Sequence, residues 1–138
     1  MTTLLAATHP TTTHPTVTSA EAEEHFAKLL QFETDCYDVH EALQAGNPGF
    51  VVIDVRGPQA FAKAHVPGAI NLPHGKMNER SLAAYPAETL FVVYCSGPHC
   101  NGADKGALRL SRLGRPVRKM LGGMSGWLYE GHAIETTE

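Results

Sequence analysis

The chain has 138 residues, a length that suits one domain with a single covered core. Hydrophobic residues make up 43% and charged residues 18%, which excludes a disordered body. Eleven Lys and Arg against fourteen Asp and Glu leave a net charge of −3 without a basic stripe, so neither nucleic acid nor an anionic membrane is expected as a partner.

The opening MTTLLAATHPTTTHP lacks a basic n-region and its apolar run is short, so it is not expected to act as a signal peptide. Residues 1–17, rich in Thr and His-Pro pairs, read as a flexible extended arm, with 18–138 as one domain. Thr18 and Glu21 spell a capping box that opens a helix through AEAEEHFAKLLQ. Its Phe26, Leu29 and Leu30 form an apolar face suited to docking on a core. FET (32–34) predicts a short edge strand, and Asp35 or Asp38 caps a helix that ends at Gly46. FVVIDV (50–55) is a β-branched run of the kind covered on both faces of a sheet. PQAFAKAH (58–65) predicts a short helix, VPGAINLP a turn and brief strand, and HGKMNERSLAAYP a loop with a short helix closed by Pro86.

LFVVY (90–94) repeats the buried-strand pattern. The segment from about Ala103 to Leu113 predicts a helix with Ala103, Ala107 and Leu110 on one face and Lys105, Arg109 and Arg112 on another. PVRKML predicts a more exposed strand, and GGMSGWLYEG a turn with a final short helix. Strands alternating with helices predict an α/β layer fold with a mostly parallel sheet, and no internal repeat is visible.

Cys95 follows LFVVY and precedes a helix, which is where open α/β sheets bind ligands. The loop SGPHCNG (96–102) supplies Gly97 and Gly102, whose freedom to adopt positive φ would let N–H groups turn inward as an anion nest. Asn101 is the expected N-cap of the following helix, with Asp104 three residues on. A free Cys ionises near pH ~8.5, and lowering that by two units requires about 2.7 kcal/mol of preference for the thiolate. A helix terminus supplies up to ~2 kcal/mol, and each charge-assisted N–H bond roughly 1.5–3 kcal/mol. The loop alone therefore suffices to activate Cys95, although it holds no Lys or Arg between 96 and 104. The alternative is a buried structural thiol.

VVIDVRGPQAFAKAHVPGAINLP resembles the rhodanese-like signature of Asp-Val-Arg, a short helix and His-Val-Pro-Gly-Ala-Ile-Asn. VVYC, a loop, a helix, Leu113-Gly114, a strand, GGMSGW and YEGHAI resemble that family's second half, so the likeness covers about residues 32–134. The resemblance implies a five-stranded, mainly parallel sheet with helices on both faces. It also implies that Cys95 accepts a sulfane sulfur and carries it as a persulfide. Asp54 and Arg56 are implied to be structural, Asp54 bonding backbone and Arg56 tying neighbouring segments, with His65 a further structural contact. The resemblance implies a basic residue within the loop of active members, often Arg five positions after the catalytic Cys; here that position is Cys100, and the loop looks about two residues longer. A loop without a cation points away from thiosulfate as the physiological donor.

The activity expected is sulfur transfer through Cys95, with Ser96, Gly97, His99, Cys100, Asn101 and Gly102 around the substrate and no cofactor. A small sulfur donor and a thiol or protein acceptor are the expected partners of a monomer or homodimer. Cys100 is read either as a resolving thiol, which attacks a Cys95 persulfide or closes a disulfide with Cys95, or as a core-facing residue. His99 is either a donor to a substrate anion or a solvent-exposed side chain. Zinc on Cys95, His99 and Cys100 would need a second Cys/His pair, which does not follow, so no metal is expected. Trp127 reads as core or pocket wall, and Cys36 as structural. Three irregularly spaced cysteines do not make a secreted disulfide framework, so a cytoplasmic address is expected. The alternatives to sulfur transfer are a phosphatase or arsenate reductase of the same fold, which would want an Arg clamp that this loop lacks, and a non-catalytic binding module.

Overall fold

A computed structural model describes residues 16–138, so most of the arm expected over 1–17 lies outside the described residues. The chain divides after Leu30, and Gln31–Glu138 make up one compact unit. Helix α1 (Ser19–Phe32) opens where the capping box predicts: the Glu21 N–H donates to Thr18 Oγ1 at 3.1 Å, and that hydroxyl donates to the Glu21 carboxylate at 2.8 Å. Phe26 and Leu30 of its apolar face are exposed.

Then follow β1 (Glu33–Asp35), α2 (Cys36–Gln44), β2 (Val51–Asp54), α3 (Pro58–Lys63) and β3 (Ile70–Asn71). The chain continues with β4 (Phe91–Tyr94), α4 (Gly102–Arg112), β5 (Val117–Leu121) and α5 (Gly123–Tyr129). The five strands form one sheet in the order β1-β5-β4-β2-β3, parallel at every pairing rather than mainly so. β1 is the edge strand expected from FET, shifted by one residue. Asp35 rather than Asp38 caps α2, accepting the Asp38 N–H at 2.8 Å.

β4 lies between β2 and β5 and is wholly buried, which its run of Phe91, Val92, Val93 and Tyr94 permits. Alternation along the strands divides the core in two. Val92, Tyr94 and Met120 face Val39 of α2 and Met124 and Trp127 of α5. Ile53, Phe91 and Val93 face the other way, against Ala103 and Leu110 of α4 and against Met77 and Leu82. Ala103 and Leu110 are thus the buried stripe that the helical spacing predicts.

The short helix expected in HGKMNERSLAAYP is only a 3-10 turn at His74–Lys76, followed by further turns. Asn78 and Ser81 explain the difference: each takes the other's backbone N–H on its side chain, at 2.8 and 3.0 Å, and so competes with helical bonding. Arg115 reaches back to the carbonyls of Leu82, Tyr85 and Pro86 at 2.9, 3.1 and 2.6 Å and holds the segment down.

Candidate active site at the end of β4

Asp54, Arg56 and Tyr94 fix the carboxyl ends of β2 and β4. Asp54 is fully buried and accepts the Arg56 guanidinium through both oxygens, at 2.7 Å for Nη2 to Oδ2 and 3.0 Å for Nε to Oδ1. The Arg56 N–H reaches Asp54 Oδ1 at 2.9 Å, and the Tyr94 hydroxyl donates to Oδ2 at 2.7 Å. Arg56 Nη2 also donates to Ala64 O at 2.6 Å, which ties the end of α3 to the sheet. Burial and the neighbouring Asp54 charge push the Tyr94 phenol far up, so it stays a donor. His65 is buried with its ring stacked on Phe61 at 3.7 Å and its Nδ1 2.7 Å from Phe61 O. These groups support the strand ends and leave the opening beyond β4 to the loop.

Cys95 follows directly, is 7% exposed, and is joined to Cys100 by a disulfide with a Cα–Cα distance of 6.5 Å. The loop folds through a turn in which the Cys100 N–H donates to Gly97 O at 3.0 Å. Its expected glycine chemistry is corrected: neither Gly97 nor Gly102 has positive φ. They are glycines for space. A Cβ on Gly102 would lie 2.7 Å from Cys95 Sγ and 3.4 Å from Cys100 Sγ, and one on Gly97 would collide with the Ser125 hydroxyl. Asn101 stands at the N-cap position but makes no cap bond, because at φ −93° and ψ 13° it lacks the extended backbone that turns a side chain back onto the helix. The amide that meets sulfur is Gly102 N–H, 3.4 Å from Cys100 Sγ. The nest expected around Cys95 is therefore replaced, in this disulfide form, by a contact to its partner sulfur.

Positive φ occurs across the cleft, at Gly122 (+93°) and Gly123 (+58°), where β5 turns into α5. A Cβ on Gly123 would stand 2.7 Å from Gly97 N. That close approach lets Met124 N–H donate to Cys95 O at 2.9 Å and Ser125 N–H to Ser96 O at 2.8 Å. The GGMSG stretch thus clamps the carbonyl side of the loop.

Two cavities flank the disulfide. The larger, about 570 Å³, is lined by Ser96, Pro98, His99, Cys100, Asn101 and Asp104. The smaller, about 200 Å³, reaches Cys95 and is bounded by Gly97, Cys100, Asp104, Lys119 and Gly123 among others. Ser96, His99, Cys100 and Asn101 are thus brought to one opening, Cys95 and Gly97 to the other, and Cys100 borders both. Gly102 lies against both sulfurs. His99 is exposed, whereas Ser96 and Cys100 are half-buried.

The cation at this site is one that sequence reasoning missed. Lys105 and Arg109 are the basic residues nearest in sequence, but Arg109 Nε is turned to Met77 O at 3.1 Å. Lys119 lines the Cys95 cavity and contacts Asp104 at 2.9 Å and Glu33 at 3.3 Å. Burial alone would lower its pKa, but the hydrogen bonds and charges of Asp104 and Glu33 outweigh this and hold it above its ordinary value. Register carries the only signal: Lys119 pairs with Val93, two residues before Cys95 and so on the same face of the sheet.

Cys36 lies on the opposite face, 1% exposed, and its thiol donates to Leu121 O at 3.3 Å. Burial, with Glu130 and Asp35 nearby, pushes that thiol up to about 11. Trp127 is core, its indole N–H bonded to Ala133 O at 2.9 Å. Among the described residues no cluster of three His, Cys, Asp or Glu side chains could hold a metal ion, and no helix is long and apolar enough to cross a membrane.

Comparison with known proteins agrees with this architecture. The chain is 32% identical over 123 residues to the HTH-type transcriptional regulator Rv0324 of Mycobacterium tuberculosis, a match covering 83% of this chain and 54% of that protein. It thus spans about half the length of that regulator. It is 37% identical over 73 residues to the thiosulfate sulfurtransferase PspE of Escherichia coli, covering 52% of this chain and 68% of that one. The crystal structure of the BH2092 protein from Bacillus halodurans superposes with a TM-score of 0.84 at 37% identity, over 87% of this chain and 88% of that one. The Rhodanese-like domain model matches residues 35–130, which includes β2, β4, the Cys95 loop and its clamp. On that match, and on the parallel sheet that carries Cys95 at the end of its central strand, the chain belongs to the rhodanese-like domain family.

Proposed function

We propose that the protein is a sulfurtransferase or persulfide carrier that moves sulfane sulfur from a small donor to a thiophilic acceptor through Cys95. The observation that carries this reading is the seat of Cys95, at the end of a buried parallel strand and against the first residue of α4, with a cavity opening onto it. A helix of eleven residues presents its N-terminal dipole there and favours an anion. Family membership and the likeness to a thiosulfate sulfurtransferase support the same chemistry.

The active form has Cys95 and Cys100 reduced. The Cys95 thiolate attacks the donor's sulfane sulfur, the donor leaves as an anion, and the persulfide passes its outer sulfur to the acceptor. Ser96, Gly97, His99, Cys100, Asn101 and Gly102 surround the reacting sulfur in this scheme, with Lys119 supplying positive charge from β5. A thiol or a protein is the acceptor in the cell, and a cytoplasmic address fits a site that works as a dithiol.

Mass spectrometry of the reduced chain after donor exposure is expected to show an adduct of about 32 Da, one sulfur atom, that Cys95→Ser lacks. Transfer of that sulfur to cyanide is expected to disappear in the same variant. Retention of the adduct by Cys95→Ser would remove the assignment.

A second reading, a non-catalytic binding module, is favoured by one observation, the 32% identity to a transcriptional regulator over most of the chain. Alkylation of reduced Cys95 against pH separates the two: a midpoint near the free-thiol value of ~8.5 belongs to the module.

A further inference from the structure

Cys100 stands beside the nucleophile, and its thiol takes no covalent part in simple sulfur transfer. It is five residues from Cys95, half-buried, paired with it, and set at the mouth of α4, where Gly102 N–H donates to its sulfur at 3.4 Å. It also borders both cavities, so an acceptor in the larger and a sulfur on Cys95 in the smaller would each meet it. Cys36 has none of these features: it is buried on the other face of the sheet with its thiol spent on backbone carbonyls.

We propose that Cys100 is the resolving thiol of a sulfide-releasing reaction, so that the protein is a persulfide reductase driven by a dithiol reductant. This rests on the reading of Cys95 as the sulfur-accepting nucleophile. Cys100 loses its proton to solvent, and its thiolate attacks Cys95 Sγ of the Cys95 persulfide. The bond from Cys95 Sγ to the outer sulfur breaks as the Cys95–Cys100 bond forms, and the outer sulfur leaves with the electron pair as hydrosulfide. The sulfane sulfur is reduced to sulfide while the two thiols are oxidised to the disulfide seen in this structure. An external dithiol then returns both cysteines to thiols by exchange, becoming a disulfide itself, and the cycle can repeat. The Cα–Cα distance of 6.5 Å lies within the span a disulfide bridges, so closure needs no unfolding of the loop. The Gly102 N–H favours Cys100 in its anionic, attacking form.

The test uses the full chain, reduced, freed of reductant and mixed with glutathione persulfide, with intact mass and free sulfide followed together. The wild type is expected to release one sulfide per chain and finish lighter by about 2 Da, the mass of two hydrogens. Cys100→Ser is expected to stop at the adduct of about 32 Da, with sulfide at background. Adding a dithiol such as reduced dithiothreitol in excess is expected to turn the wild-type burst into continuous release, with the Cys100→Ser rate well below it. A wild type that keeps its persulfide, releases no sulfide and still supplies cyanide overturns the resolving role while leaving sulfur transfer intact. If Cys100→Ser and wild type both fail to load sulfur, both proposals fall. The wild-type mass and sulfide readings decide the matter even if the variant does not fold.

Discussion

Gly102 shows what one missing side chain does at this site. Its hydrogen leaves room for two sulfurs, and an alanine there would bring a methyl group 2.7 Å from Cys95 Sγ. Cys95 is 7% exposed and belongs to the core cluster that includes Ile53, Val55 and Ala103, which limits its room to retreat. Gly102→Ala is expected to keep its fold by circular dichroism and to lose sulfur transfer to cyanide by about tenfold or more, since small displacements of reacting atoms are costly. Activity equal to wild type would mean that the loop in its reduced form holds Cys95 elsewhere. This glycine is visible in the sequence, but its reason is not. A glycine in a loop reads first as a φ requirement, and only the facing sulfur atoms reveal a space requirement. Asn101 misleads in the same way: the residue type suits an N-cap, while its backbone angles prevent the bond.

At the scale of elements, sequence pattern served well wherever burial alone decides the structure. The β-branched runs that became β2 and β4 and the Ala103–Leu110 stripe of α4 each follow from residues a few positions apart, while the cap of α2, open in the sequence between Asp35 and Asp38, is settled as Asp35 by the fold. Lys119 could not be found that way, because its neighbours come from β1 and α4 and its relation to Cys95 depends on strand register. Its ammonium gains hydrogen bonds on folding, so its pKa is raised, and the stabilisation is complete below the ordinary lysine value and lost as pH rises through the folded one. Asp104 is 60% exposed on its side chain, which limits the effect through solvent screening. Lys119→Met is expected to cost under about 1 kcal/mol in urea unfolding at pH 7, with the gap to wild type closing above about pH 10.5. A gap that widens with pH would contradict the charge argument.

For the molecule as a whole, the Cys95–Cys100 link closes a very short loop, with five residues of sequence separation. Loop-closure entropy then assigns it about 2 kcal/mol, towards the low end for disulfides. Reduction is expected to lower the unfolding free energy by that order and to leave a folded, cooperative protein, as calorimetry in the presence and absence of reductant would reveal. Collapse on reduction would instead make the bond a structural staple, incompatible with a thiol that turns over. The fold was legible because two well-separated motifs agree with the pattern of strands and helices. The paired state of the cysteines was open, because disulfide geometry is not a property of spacing. The clamp from the β5–α5 corner has a further implication for how variation should be scored. Gly123 sits against Gly97 N, and the two amides after it hold the Cys95 and Ser96 carbonyls. A saturation library should therefore register positions 122 and 123 as being as intolerant as those around the nucleophile, more than twenty residues upstream, and a library limited to 95–102 would overlook the clamp.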